Sequence, residues 1–436
     1  MTDTMNETEN TLNVEINQRA IGCVSFSLWG DESKYTLGII ENAKLMPEVY
    51  PGWVMRVYVS RGHYIIPWLL DLAVEVFEMD PAKGSFGMFW RFLAAACSDF
   101  PRVIVRDADS RINPREAAAV EEWIRSGKSL HVMRDHYWHL QKPIIGGCWG
   151  IKTGVFDMVN AINAWPHNFR YADDETFLAD LVWPAFFPND FLRHSIEVSS
   201  QDDTSFPSHG SWSGHVCERV TPQFTDWRGR AVVLNPDRFP NRLARFYESL
   251  ERNGAFLRGH CERARATSLN ELVVPRHFPH ADSHPHYFAA TRDHVRIIEN
   301  AIVDNVEYLI VFEDDAEILP CFEEYFSRMW LALPEGWMGA MLGGQPWSDN
   351  ARRAADFPEA LAWVNGCLGM HATLYSRAGL LRAYEHFTFW HRETIDQAFA
   401  GLQREEHNWF APARWIVGIA PEASQFASGD SPPILT

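Results

Sequence analysis

Two stretches of the chain end an apolar run in closely spaced carboxylates. Val103-Ile104-Val105 leads into Arg106-Asp107-Ala108-Asp109, and Leu309-Ile310-Val311-Phe312 leads into Glu313-Asp314-Asp315-Ala316-Glu317. Side chains alternate along an extended chain, so Asp107 and Asp109 can share one side, as can Glu313 and Asp315, while Asp314 faces away or turns with the following loop. Oxygens paired in this way can hold a hard divalent ion against a diphosphate, whose charge the ion neutralises as it leaves. In the first cluster Asp109 would touch the ion directly and Asp107 through water, with Arg106 and Asp107 on the donor side. In the second, Asp315 is the metal candidate, and Glu313 and Asp314 are candidates for nucleotide or water-mediated contacts. For both clusters the alternative is that the acids only solvate a strand end.

Such pairs need strands to carry them. AIGCVSFSLWG, WVMRVYVS, AVEVFEM and RVIVRDADSRI read as strands, and YTLGIIENAKLMPEVYPG and GMFWRFLAAACSD read as helices between them. The alternation predicts an α/β fold with a mixed, mainly parallel sheet covered by helices, with ligands gathering beside the carboxyl ends of its strands. After Val198 the pattern gives way to a stretch rich in Ser, Gly, Pro, His and Asp, read as an interdomain connection. Periodicity returns with RAVVLNP, NRLARFYESLERNG, DHVRIIENAIVDNV and EYLIVFEDDAEI. The expected organisation is a disordered terminus over 1–18, a first domain over 19–200, a linker over 201–229 and a second domain over 230–436.

The 436 residues suffice for two or three domains, and the 18 Trp, 12 Tyr and 28 Phe are unlike the composition of disordered chains. With 39 basic and 57 acidic side chains the formal charge is −18, which disfavours nucleic-acid backbones and anionic membranes as partners, although a local basic groove could override it. The seven cysteines are dispersed without CxxC spacing, which argues against a disulfide framework or structural zinc and for reduced cytoplasmic thiols. The polar start MTDTMNETENTLNVE has no secretory character, and no run of about twenty apolar residues predicts a membrane span. The turn SLWGDESKYTLG lacks the GxGxxG of a dinucleotide-binding oxidoreductase, and no GKS or GKT element marks a P-loop.

Four ordered blocks carry a family resemblance: RAVVLNPDRFPNR, ATRDHVRIIENAIVDNVEYLIVFEDDAEI, GCLGMHATLYSRAGLLRAY and TIDQAFAGLQREEHNWFAPARWIVG. Together they resemble glycosyltransferase family 25, the lipopolysaccharide and collagen-type galactosyltransferase group. The resemblance implies a GT-A-type fold, a nucleotide-sugar donor and Mn2+, with Glu313, Asp314 and Asp315 matching the family's acidic triplet. It places Asn235 and Arg238 near the nucleotide, His294 at the donor-site wall, His371 on the acceptor side, and Asp396 near the acceptor as a base acting with inversion. Asp396 reads equally well as a helix-start cap. Where the family commonly opens with asparagine, leucine and aspartate in succession, this chain has Leu234-Asn235-Pro236-Asp237.

The first half resembles another GT-A-type transferase domain through WRF before VIVRDADSRI, through GGCWGIK, and through YADDETFLADLVWP. That likeness makes Asp173 or Asp174 an acceptor-side base. It puts Gly146, Gly147 and Trp149 at the acceptor and His194 as a third metal ligand, although a structural histidine is the competing reading. Trp138, in HVMRDHYWH, could stack on a sugar or pack in the core. His277, His280, His284 and His286 are broken up by Pro279 and Pro285 and fit an acceptor-side loop better than zinc. The expected reaction is metal-dependent transfer to an acceptor hydroxyl, on a saccharide or glycoconjugate, once or twice in succession. Alternatives are a hydroxymethylated DNA base or protein hydroxyl as acceptor, or one catalytic domain beside a non-catalytic sugar- or partner-binding one.

Overall fold

The computed structural model describes residues 20–198, 200–207, 215–217, 224–225, 227–276, 278, 281–345, 351–353, 360–389 and 393–420. The expected disordered stretch 1–18 lies outside them, as do His277 and His280. The chain divides into two compact units, Met1–Pro222 and Gln223–Thr436, each built on an eight-stranded sheet.

In the first unit β1 (Cys23–Leu28) is buried at every position, as a strand covered on both faces must be. It lies parallel between β2 (Val54–Ser60) and β4 (Arg102–Arg106), with β3 (Glu75–Met79) outside β2. Then come β5 (Leu130–Arg134), β6 (Cys148–Lys152), β7 (Phe191–Ser195) and β8 (Asp203–Ser205), in the sheet order β3-β2-β1-β4-β6-β5-β7-β8. Only β6 runs against its neighbours, and its register sets Cys148 opposite Arg106. Gly146 and Gly147 are thereby brought beside the acids that follow β4.

Helix α1 (Ser33–Val49) lies between β1 and β2 in the chain, and α2 (Pro114–Ser126) follows the first acid pair. The start of α2 is set by Asn113, whose side chain accepts from the Glu116 amide at 3.0 Å, and by Pro114. Gly127, at φ +70°, ends it in the left-handed conformation that glycine adopts without penalty.

Two expectations change here. GMFWRFLAAACSD winds as 3₁₀ turns over Gly84–Ala96 rather than as an α-helix. Its backbone is tied sideways to β1: the Arg91 amide donates to Ser27 Oγ at 2.8 Å, and the Arg91 carbonyl accepts from Ser25 Oγ at 2.7 Å. The stretch expected to be a linker is partly built into the units. β8 extends the first sheet, Val216 donates its amide to Asp135 at 2.8 Å, and Phe224 and Trp227 pack on Phe326 and Trp330 of the second unit.

The second unit contains β9 (Arg230–Asn235), α3 (Pro240–Asn253), β10 (Cys261–Arg265), α4 (His286–Val303), β11 (Tyr308–Glu313) and β12 (Ala316–Ile318). Later come β13 (Gly339–Gln345), β14 (Ala351–Arg353), β15 (Leu361–Val364), β16 (Leu368–Ser376), α5 (Arg377–Phe389), α6 (Ile395–Glu405), β17 (Trp409–Pro412) and β18 (Val417–Ile419). The main sheet runs β10-β9-β11-β16-β13-β17-β15-β14, and β12 pairs with β18 apart from it.

This sheet is mixed but not mainly parallel. β10, β9 and β11 are parallel, but β16 opposes both β11 and β13, and β15 opposes β14 and β17. Strand direction leaves no mark in apolar periodicity, so alternation alone does not reveal it. The antiparallel β16 sets Ala372 opposite Phe312, which carries Gly369, Met370 and His371 to the end of β11 where the acids begin. Among the described residues no helix is long and apolar enough to cross a membrane.

Candidate active site

At the carboxyl ends of β9, β10 and β11 lies a cleft of about 610 Å3, bordered by Arg238, Arg242, Arg265, His286, Asp293 and the Glu313–Asp315 run. Its floor is fixed by Asn235, which is fully buried. Asn235 Nδ2 donates to Asp314 Oδ2 at 2.9 Å and to the Phe239 carbonyl at 3.0 Å, and its Oδ1 accepts from Arg263 Nε at 3.0 Å. One wall is the loop after β10, where Asp293 of α4 accepts from the Thr267 amide at 2.7 Å and from its hydroxyl at 2.6 Å. The arginines form the opposite edge: Arg238 and Arg242 lie over the Phe239 ring at 4.7 and 4.3 Å. Asp237 is occupied by Arg265 at 2.7 Å and Arg263 at 2.5 Å.

The three acids differ in environment. Asp314 is held by Asn235 and lies 3.5 Å from Arg242; its burial outweighs both and raises its pKa. Glu313 reaches His294 Nε2 at 3.4 Å; burial acts to raise its pKa, but the His294 hydrogen bond and the charges of His294 and His371 outweigh it. Asp315 has a buried Oδ1 with no hydrogen-bond partner among the described residues. Burial, then the charges of Glu313 and Asp314, push its carboxyl up to about 7. An acid so destabilised in its charged form gains most from a cation.

Asp396, in the first turn of α6, accepts from the Met370 amide at 2.9 Å and the Gly369 amide at 3.2 Å, which ties the helix start to β16. Burial and then the Glu313 charge raise its pKa, so Asp396 and Glu313 are electrostatic neighbours. His371 is buried behind Glu313, and neither it nor Asp396 borders the cleft. The second domain therefore brings together Asn235, Arg238, His294, Glu313, Asp314 and Asp315, with Asp396 and His371 adjoining.

Among the described residues no three His, Cys, Asp or Glu side chains converge as a closed metal site. Mg2+-type ions, however, commonly take one or two carboxylates from a protein and complete their shell with substrate phosphate and water. Asp315 with its unpartnered oxygen, and Glu313 beside it, fit that mode.

The first domain corrects several expectations. Arg106 is fully buried and paired with Glu116 at 3.0 Å, with its Nη1 donating to the Gly147 carbonyl at 2.9 Å, so it is a strut beneath the site and not a donor contact. Trp149 is fully buried against Phe92, ring centroids 5.3 Å apart, and offers no face to an acceptor. His194 lies on β7, bonded to His131 at 2.9 Å and Glu122 at 3.0 Å, three strands along from β4 and the acids that follow it. Asp109 is buried and does not border the first domain's cleft. Asp173 closes its own loop, accepting from Trp165 Nε1 at 3.0 Å and the Asn168 amide at 3.1 Å.

What the sequence reading misses is the role of Arg91. Its buried guanidinium pairs with Asp107 and, at 3.0 Å, with Asp174 Oδ2. Gly146 and Gly147 make room for this clamp: a Cβ on Gly146 would lie 2.6 Å from Asp174 Oδ2, and one on Gly147 would overlap the Asp107 carboxylate. The WRF motif contains Arg91, but nothing in its spacing ties it to acids 16 and 83 residues away. Cys148 and Cys217, 69 residues apart in the chain, come together with Cα atoms 6.4 Å apart, a proximity that has no local signature in the sequence.

No protein-family model matches the chain, and no curated protein does. Among solved structures it is similar to glucosyl-3-phosphoglycerate synthase from Mycobacterium tuberculosis in complex with Mn2+, uridine-diphosphate and glucosyl-3-phosphoglycerate. That likeness has 11% identity and a TM-score of 0.30, covering 45% of this chain and 76% of that one. A protein described as a nucleotide-diphospho-sugar transferase from Desulfovibrio desulfuricans G20 is similar at 10% identity and a TM-score of 0.29, covering 40% of this chain and 79% of that one.

Proposed function

We propose that the second domain is a metal-assisted glycosyltransferase centre that moves a sugar from a nucleoside-diphosphate donor to an acceptor hydroxyl, with a saccharide as the acceptor class. The observation that carries this reading is the acidic end of β11, with the unpartnered Asp315 oxygen, opening into a cleft edged by Arg238 and Arg242. Arg238 has no ion pair among the described residues and is available to a diphosphate. Asp315 and Glu313 would hold Mn2+ or Mg2+, which when bound neutralises charge on the departing diphosphate. Asn235 and Arg242 hold Asp314 in place below it.

Asp396 serves as the base. One oxygen is fixed by two backbone amides, the other takes the proton of the acceptor hydroxyl, and the raised pKa favours that uptake. The acceptor oxygen then bonds to the anomeric carbon as the bond to the diphosphate breaks, with inversion. The reading does not extend to two successive transfers, because Arg91 already engages the corresponding acids of the first domain.

Titration calorimetry with nucleoside diphosphates tests the donor site. Binding should require Mn2+, and Asp315→Asn or Arg238→Ala should each weaken it by about tenfold or more. Equal affinity in all three proteins, or in the presence of chelator, would remove the basis for the assignment.

A further inference from the structure

The first domain has its own cleft, about 530 Å3, at the carboxyl end of β4. Two large rings on its border are left in solvent, Trp138 at 73% and Tyr171 at 77% exposure, with His136, His139 and Gln141 also on the border. Exposed aromatic faces interleaved with planar polar groups suit a ligand that is apolar on its ring face and hydroxylated at its edge. The charges point the same way. Lys142 is paired with Glu175 at 2.6 Å, and burial pushes the His139 imidazole down to about 4, so neither offers a ready cation to a phosphate.

At the floor, Arg91 fills the space between the carboxylates of Asp107 and Asp174. It already engages one oxygen of Asp107 and one of Asp174, and both acids press against the Gly146-Gly147 backbone. An ion entering there would meet a buried guanidinium of like charge and would have to strip it of its partners. The residues do not fit a metal.

We propose that this cleft is a metal-independent saccharide-binding site, in which Trp138 and Tyr171 hold sugar rings and Asp107, fixed by Arg91, accepts from a sugar hydroxyl. The site stands apart from donor turnover in the second domain and does not rest on it. Its test is a glycan array probed with the full chain in chelator, covering neutral hexoses, hexosamines, deoxyhexoses and uronates, followed by calorimetry on the best-bound glycan.

Affinity should agree within about twofold between chelator and Mn2+, and Trp138→Ala should weaken it at least about tenfold, as loss of a central aromatic contact does. Because Trp138 is exposed, its removal should leave the melting temperature unchanged; Tyr171→Ala provides a second reading of the same surface. Asp315→Asn should keep glycan binding, which separates this site from the donor centre. Absence of any bound glycan, a need for Mn2+, or full affinity in both aromatic variants would overturn the proposal.

Discussion

Asn235 organises the second cleft through three hydrogen bonds made by one buried amide, to Asp314, the Phe239 carbonyl and Arg263. Replacing it with Leu leaves an acid and a guanidinium short of a partner, and unsatisfied buried groups of this kind cost about 1 to 3 kcal/mol. The Asn235→Leu variant should therefore unfold at lower urea, with weaker donor binding than its stability loss explains. A variant as stable as wild type would mean that water replaces the amide. The acids of the two domains also differ at this scale: Asp107 and Asp174 share a buried arginine, whereas Asp315 keeps an oxygen without a hydrogen-bond partner among the described residues. The sequence shows two acidic strand ends of the same form, and only the folded chain shows that one is neutralised from within.

At the level of elements, the start of α5 lies against the strand entering β13 so closely that a Cβ on Gly379 would overlap the Met338 carbonyl. Backbone cannot step aside as a side-chain tip can, so Gly379→Ala should destabilise the second domain by about 3 kcal/mol, read by urea unfolding. In the first sheet His131 of β5 and His194 of β7 are hydrogen-bonded to each other, and burial lowers the pKa of both, His131 well below 6.5. Both are neutral in folded and unfolded chains above pH 7. Below about 6.5 the unfolded chain takes up protons that the folded one refuses, so stability falls as pH falls, with a limiting slope of about 1.4 kcal/mol per unit for a group between its unfolded and folded pKa. Thermal unfolding from pH 7.5 to 5 should show this decline, shallower in His131→Gln whatever that variant's stability at pH 7.5; parallel curves would contradict it. β1, β4, β9 and β11 are legible in the sequence because they are short, rich in β-branched and aromatic residues and bounded by turn or charged residues. The 3₁₀ path of residues 84–96, the reversed direction of β16 and the burial of Trp149 are not, because each is settled by partners far along the chain.

Across the molecule, each unit closes its own core, around Phe92, Trp149 and Phe177 in the first and Tyr375, Phe399 and Trp409 in the second. A central strand of each sheet ends in acids, yet the two clefts differ: an arginine-held cleft with aromatic borders in one unit, a carboxylate cleft with arginine borders in the other. The net charge of −18 makes a polyanionic acceptor the least favourable partner for the whole chain, in keeping with a saccharide acceptor. The most direct measurement is release of free nucleotide from a panel of nucleotide sugars, with a mixed saccharide acceptor library and Mn2+, by wild type and by Asp315→Asn. The account predicts release from at least one donor, abolished by chelator and lowered by about a hundredfold or more in the variant. Release that persists undiminished in Asp315→Asn, or none from any donor, would contradict it.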